Sequence, residues 1–298
     1  MAVTQLARAK VNLTLKVLGR RADGYHALES LVTFAAVGDR LTFEPGVEAG
    51  LHVHGPFAER IAGPNILTGV LELLMQAGIP LGDGSLRLEK NLPVAAGLGG
   101  GSSDAGALLR LARATHGERT EASLWRDLAR RLGADVPVCF GDRAAFMGGI
   151  GDELQPLASG SSPPLPLPAV LVNPGVPLAT ARVFAALKAQ PLTGAGVPTA
   201  ALAPIRSLAA LCDHIDAVGN DLEPPAMTLE PVIGAVKAAL LASPGCRTAA
   251  MSGSGPSCFG IFTSELQATA AAVALRSSEP CWWVVATQLD GVAASGAA

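Results

Sequence analysis

The sequence predicts an α+β fold, on three observations. Apolar and polar residues alternate along Val11-Asn-Leu-Thr-Leu-Lys-Val17, the period of a half-buried strand. Between Asn65 and Gln76, Ile66, Val70, Leu73 and Leu74 recur at helical spacing. The two patterns then mix along the chain without the strict strand–helix alternation that marks a parallel sheet.

The remaining elements follow in order. Leu28 to Phe34 and Arg40 to Phe43 read as strands, with shorter ones at Leu51 to Val53 and Ser85 to Leu88. Ala105, Leu108, Leu109 and Ala112 share a helix face, as do Leu124, Leu128 and Leu132, whose helix ends at the C-cap candidate Gly133. A Pro-rich linker over 159–168 feeds a buried strand at Ala169 to Asn173. Helices follow at Ala181 to Lys188, Val232 to Leu241 and Glu265 to Leu275, with strands at Cys258 to Phe262 and Trp282 to Val285. The Gly/Ala-rich end after Gly291 reads as frayed.

Composition bounds the function. The 298 residues suffice for one large or two medium domains with a real core, and 49% hydrophobic against 16% charged residues reads as a folded protein. A net charge of −3 offers no basic surface for nucleic acid or an anionic membrane. The long uncharged stretch from Leu154 to Ala181 is broken by Pro163, Pro164, Pro166, Pro168, Pro174 and Pro177, so it predicts no membrane span. No signal peptide is legible, and a cytoplasmic setting is the default. The five cysteines show no paired spacing, which argues against disulfides or a zinc site. His52 and His54 would share a strand face, but without a third ligand nearby they read as a surface strand.

The most informative stretch is Pro93-Val-Ala-Ala-Gly97-Leu-Gly99-Gly100-Gly101-Ser102-Ser103-Asp104-Ala-Gly106. Four glycines in five positions free the backbone for turns that a Cβ forbids, and the two serines and aspartate mark a helix start. A helix start presents unpaired N–H groups and a positive dipole end, which suits a phosphate. The generic phosphate motifs fail: no Lys stands where a Walker loop needs one, and Ser102 stands where a dinucleotide fingerprint needs glycine.

This loop resembles the signature loop of the GHMP small-molecule kinases. Three further blocks resemble that family in its own order: Ala9-Lys10-Val11-Asn12-Leu13-Thr14-Leu15 with Gly19-Arg-Arg-Ala-Asp23-Gly24-Tyr25-His26, then Gly133-Ala134-Asp135-Val136-Pro137, then Met251-Ser252-Gly253-Ser254-Gly255-Pro256-Ser257. Together they span residues 9 to 262, most of the chain. The first block is similar to one branch, the kinases of a cytidyl-diphosphate methylerythritol on the non-mevalonate isoprenoid route. The resemblance implies two lobes, 1–155 and 169–290, with the active site in the cleft between them.

It also implies roles. ATP phosphates would lie on Pro93, Ala95, Ala96, Gly97, Leu98, Gly99, Gly100, Gly101, Ser102 and Ser103, with Asn65 and Lys90 near the nucleotide and Mg²⁺ held by ligands left unknown. Asp135 would take the acceptor's proton; on the residues alone an Asp in such a turn more often bonds its own backbone. Pro137 is expected to push Val136 toward extended geometry and stiffen that turn. Lys10 would oppose Asp135 and orient the hydroxyl, where the plain alternative is a strand lysine reaching for solvent. Asn12 stands two residues on, and Tyr25, His26, Thr180 and Phe184 would hold the cytidyl acceptor, the Tyr25 and Phe184 rings enclosing the base and His26 reading its polar edge.

The partner implied is thus a small molecule, with oligomeric state open. Asp104 departs from the Asn common in relatives; it suits a helix cap, but an anion there opposes phosphate. Ala95 and Ala96 stand where relatives often have glycine. A GHMP kinase of homoserine or mevalonate is argued against by Asp23-Gly24-Tyr25-His26 and by Lys10-x-Asn12, and a regulator that has lost catalysis by the intact Lys10 and Asp135.

Overall fold

A computed structural model describes residues 1–116, 121–157, 167–192, 205 and 207–292. Most of the predicted linker, 159–166, and the last six residues of the chain lie outside them. The chain packs as two compact units, each assembled from separated stretches. Unit 1 comprises Met1–Lys10, Val37–Val94 and Gly99–Asp142; unit 2 comprises Val11–Ala36, Ala95–Leu98 and Arg143–Ala298.

The strands that open the chain are β1 (Val3–Asn12), β2 (Lys16–Arg20) and β3 (His26–Pro45). The single strand expected over Val11 to Val17 is therefore two, broken at Leu13 and Thr14. Leu13 N–H still donates to the Leu31 carbonyl at 2.7 Å, and side-chain bonds add to it: the Ser30 hydroxyl donates to the Thr14 carbonyl, and Leu31 N–H donates to Thr14 Oγ1. Leu28–Phe34 and Arg40–Phe43, expected as two strands, are one. Gly38 continues β3 because a Cβ there would lie 2.2 Å from the Ala7 carbonyl oxygen, so the glycine marks a close backbone approach.

In unit 1, β3 pairs antiparallel with β5 (Gly84–Glu89), Arg40 facing Glu89, and β5 pairs parallel with β4 (Gly50–His54). Helices α1 (Ile66–Gln76), α2 (Gly100–His116), α3 (Ala122–Leu132) and α4 (Val136–Gly141) bury their apolar faces in one cluster that includes Leu67, Val70, Leu108, Trp125 and Leu128. Asn65 caps α1, its side-chain oxygen accepting from Leu67 N–H, and Gly133 ends α3 with φ at +152°. α4 corrects an expectation: Val136 is its first residue rather than an extended one. Pro137 falls in the first turn, where its missing N–H costs no helical bond.

In unit 2, β11 (Trp283–Leu289), β8 (Leu167–Asn173), β10 (Cys258–Phe262) and β9 (Cys246–Met251) are neighbours in that order, all antiparallel. The first half of β3 pairs with β2 and with β6 (Ala145–Gly148), which pairs in turn with β7 (Glu153–Pro156). Helices α5 (Thr180–Leu187), α6 (Leu208–Val218), α7 (Glu223–Leu229), α8 (Val232–Ala242) and α9 (Glu265–Ser278) complete it. Val170, Val172, Ile233, Val236, Met251 and Phe262 lie in its core. Among the described residues, no single helix is long and apolar enough to cross a membrane.

Candidate active site

Unit 1 brings together the two residues expected to carry the chemistry. Lys10 lies near the end of β1 and Asp135 is the N-cap of α4; Lys10 Nζ stands 2.7 Å from Asp135 Oδ2. The Asp135 side chain makes no capping bond to its own helix, so the local-turn alternative is excluded. The ammonium is 5% exposed and the carboxylate 40%, so the pair presents its acidic side to solvent. An ion pair so arranged can accept a proton at the carboxylate while the buried ammonium fixes its orientation.

The phosphate-loop residues reach the same place in unit 1. Gly99 has φ at +64°, and a Cβ on it would lie 3.0 Å from Lys10 Cβ, so the loop passes directly against the lysine stem. α2 then starts at Gly100, two residues earlier than the serines suggested. Ser102 and Ser103 therefore belong to its first turn rather than to a cap. The first N–H groups of a helix lie outside its own ladder, and at exposed Gly101 a Cβ would meet only Ile66 Cγ2, at 4.0 Å. Such a start accommodates an anionic phosphate, and the glycines leave it room. Ser103 is buried instead, its hydroxyl 3.5 Å from Cys139 Sγ of α4.

Beneath that start is a cluster that the sequence did not reveal. Lys90 Nζ donates to Asp39 Oδ2 and, at 2.7 Å, to Asp104 Oδ2, all three side chains being buried. Asp39 Oδ1 also accepts from Asn91 N–H at 2.6 Å and Leu92 N–H at 2.8 Å. Asp104 is thus no cap; one oxygen accepts from Lys90 and the other, Oδ1, is buried and unbonded. Burial, with the neighbouring Asp39 charge, pushes its carboxyl up to about 8, against the opposing pull of Lys90. Burial draws the Lys90 ammonium down, but Asp104 and Asp39 together outweigh it and raise the group. The upward shift favours the protonated carboxyl, which eases the charge conflict with phosphate that its sequence position suggested.

Unit 2 holds the rest. Gly97, φ +72°, packs against the turn after β9: a Cβ would lie 2.3 Å from the Ser252 carbonyl oxygen and 2.9 Å from Gly255 N. The Ser252 hydroxyl donates to the Gly97 carbonyl at 2.9 Å and accepts from Asn12 N–H at 3.0 Å, and Ser257 N–H donates to the Ala96 carbonyl. The Ser252–Ser257 turn is thus the support of residues 96 and 97, a role the motif itself left open. Ala95 takes φ +52°, a region that favours glycine. Pro93, in unit 1, and Leu98 are buried.

Of the acceptor candidates, His26 stacks on Phe184 with ring centroids 4.7 Å apart and planes at 30°. Burial, then the Arg20 charge, lowers the His26 ring below its ordinary value, so it is neutral at pH 7. Tyr25 is 59% exposed, held by a turn in which its N–H donates to Asp23 Oδ1. Thr180 Oγ1 lies 2.8 Å from Ser254 Oγ, and Asn12 Nδ2 donates to Ser30 Oγ at 2.7 Å. His52 and His54 are exposed on one face of β4. Among the described residues no group of three or more His, Cys, Asp or Glu is placed to hold a metal ion.

Residues 65–149 match the N-terminal domain of the GHMP kinases and residues 200–280 their C-terminal domain. Fold and site thus define a GHMP kinase, a phosphotransferase that uses ATP. The chain is 46% identical over 295 residues to 4-diphosphocytidyl-2-C-methyl-D-erythritol kinase of Parvibaculum lavamentivorans, covering 97% of this chain and 99% of that one. It is 48% identical to the enzyme of that name from Methylorubrum extorquens, covering 96% and 99%. A crystal structure of 4-(cytidine 5'-diphospho)-2C-methyl-D-erythritol kinase superposes with a TM-score of 0.75 at 35% identity, covering 97% of this chain and all of that one. The chain belongs to the 4-diphosphocytidyl-2-C-methyl-D-erythritol kinase family.

Proposed function

We propose that the protein transfers the γ-phosphoryl group of ATP to the 2-hydroxyl of 4-diphosphocytidyl-2-C-methyl-D-erythritol, a step of the non-mevalonate isoprenoid route. The observation that carries the mechanism is the Lys10–Asp135 pair, with its carboxylate half-exposed and unspent on its own helix. Asp135 accepts the hydroxyl proton as the oxygen attacks, and Lys10 holds that carboxylate and steadies the negative charge that develops. The N–H groups at the start of α2, with the backbone of Gly97 and Gly99, hold the donor phosphates. Mg²⁺ bound with ATP would neutralise phosphate charge; no side chain is assigned to it. Asn65 and Lys90 flank the nucleotide in this reading.

The acceptor's cytosine lies against the exposed Tyr25 ring and Phe184, while neutral His26, with one ring donor and one ring acceptor, reads its polar edge. Asn12 and Thr180 line the acceptor's path. The two functional segments are read as 1–155 and 169–290, which hold the N- and C-terminal family matches respectively; they do not coincide with the compact units, because 11–36, 95–98 and 143–155 pack in unit 2. The cytoplasm is the proposed setting.

Two assays test the reading. Purified protein releases ADP on addition of the cytidyl acceptor; equal turnover with homoserine overturns the substrate assignment. Asp135→Asn lowers kcat by roughly 10²–10⁴-fold, the usual worth of a general base, while leaving the Kd for ATP unchanged. An unchanged kcat removes Asp135 as the base.

A further inference from the structure

We propose that Arg8, Asp142 and Arg110 form a positioning clamp that sets the Lys10–Asp135 geometry from the far end of α4. The proposal rests on the catalytic reading of that pair. Asp135 is the N-cap of α4 and Asp142 its C-cap, so one short helix separates the two carboxylates. Arg8 precedes Lys10 by two residues on β1, which puts their side chains on the same side of the strand. Lys10 reaches Asp135, and Arg8 reaches Asp142. The strand therefore grips the helix at both of its ends.

The second grip has a more specific geometry than the first. Arg8 Nε donates to Asp142 Oδ1 at 2.9 Å, and its second guanidinium nitrogen donates to the Asp142 backbone carbonyl at 2.6 Å. Two bonds from one planar group fix direction as well as distance. Asp142 takes φ +50°, ψ +40°, a left-handed cap whose N–H donates to the Val138 carbonyl. Arg110, from α2, donates to the Cys139 carbonyl of α4 and to the Leu6 carbonyl of β1, and lies 3.7 Å from Asp142 Oδ2. β1, α2 and α4 are thus tied together by charge-assisted bonds to backbone oxygens. Both Arg8 and Asp142 side chains are mostly buried, at 19% and 25% exposure, where such bonds are screened little by solvent.

A six-residue helix has too few internal bonds to fix its own axis. Any tilt of α4 about its C-terminal end swings Asp135, and a displacement of about 1 Å at a reacting group costs on the order of 10²-fold in rate. Arg8, Asp142 and Arg110 touch neither substrate in this arrangement; they act through α4.

The test is a double-mutant cycle with a structural arm. Arg8→Ala is expected to lower kcat by about tenfold or more, with the KM for ATP changed less than about twofold and thermal denaturation still cooperative. In the Asp135→Asn background the same substitution is expected to cost less than about twofold, because the group it positions is already gone. Equal losses in both backgrounds, or no loss in either, overturn the clamp. Asp142→Asn, which tolerates the left-handed cap but loses the charge, is expected to repeat the pattern and covers the case of an unstable Arg8 variant; the same outcomes decide it. In a crystal structure of Arg8→Ala, a Lys10–Asp135 separation beyond about 3.5 Å supports the clamp. An unmoved pair overturns it. If Asp135→Asn leaves kcat unchanged, the base assignment fails on kinetics alone, and this separation decides the clamp independently.

Discussion

Replacing Asp104 by Asn tests whether the carboxyl beneath the phosphate loop is neutral in the folded protein. One ammonium, Lys90, serves two buried carboxyls, and Asp39 has the more hydrogen-bond donors because two backbone N–H groups also reach it. Asp104 therefore keeps its proton, ionising near pH 8 instead of 3.8. The sign follows from linkage. Above pH 3.8 the unfolded chain releases this proton while the folded chain retains it, so folding weakens as pH rises and levels off only above about 8. At ~1.4 kcal/mol per pH unit, the loss between pH 5 and pH 8 reaches up to about 4 kcal/mol.

Asn has the same shape and carries no proton to lose, so the variant lacks this slope. Urea denaturation at pH 5, 6.5, 8 and 9 reads the difference as a change in midpoint at constant m. The expected result is a stability advantage for Asp104→Asn that grows from pH 5 to 8 and is flat above. A difference that stays constant across this range means that Asp104 is ionised throughout, and the account of the cluster fails.

Two further outcomes follow from the loop and the acceptor site. Gly97→Ala places a Cβ against the Ser252 carbonyl at a left-handed residue. It should cost roughly 2–4 kcal/mol from backbone strain and overpacking together, with a raised KM for ATP; calorimetry and steady-state kinetics check both. Tyr25→Ala removes an exposed ring that contributes little to the core. It should raise the KM for the cytidyl acceptor by roughly 5- to 150-fold, the equivalent of ~1–3 kcal/mol of base stacking, with the KM for ATP unmoved.

The sequence was most legible where a residue's role is local. Asn65 as a cap, Gly133 as a helix end and the amphipathic runs of α1, α3, α5, α8 and α9 all depend on near neighbours, and all are present. It was least legible where distant chain meets. Nothing around Asp39 predicts its bond to Lys90, 51 residues away, and Gly38 read as a break because the β1 backbone pressed against it lies elsewhere in the sequence. Asp104 read as a cap for the same reason: its partner is invisible in a local window. β6, β7, β9, α6 and α7 escaped notice because their patterns are short or embedded in apolar sequence. The motifs located Lys10 and Asp135, and the fold supplied the 2.7 Å that makes them a pair.

The geometry within unit 1 also explains why the start of α2 and the Lys10–Asp135 pair can be built into one compact piece. Gly99 lies against the Lys10 stem, and Ser103 of α2 touches Cys139 of α4. A Cβ on Gly106 would lie 2.6 Å from the Cys139 carbonyl carbon and 2.8 Å from Phe140 N, so α2 and α4 approach to backbone contact. The helix proposed to receive phosphate and the helix capped by Asp135 are therefore locked together, and Lys10 lies between Gly99, just ahead of the first, and Asp135. Moving one moves the other, so the start of α2 and the proton acceptor keep a fixed relation whatever the acceptor molecule. The residues proposed to recognise that molecule, Tyr25, His26, Thr180 and Phe184, all belong to unit 2. Acceptor preference can change there while the Lys10–Asp135 pair stays intact. Substitutions at these four positions should accordingly act on the acceptor's KM, and substitutions at Gly106 or Gly99 on kcat.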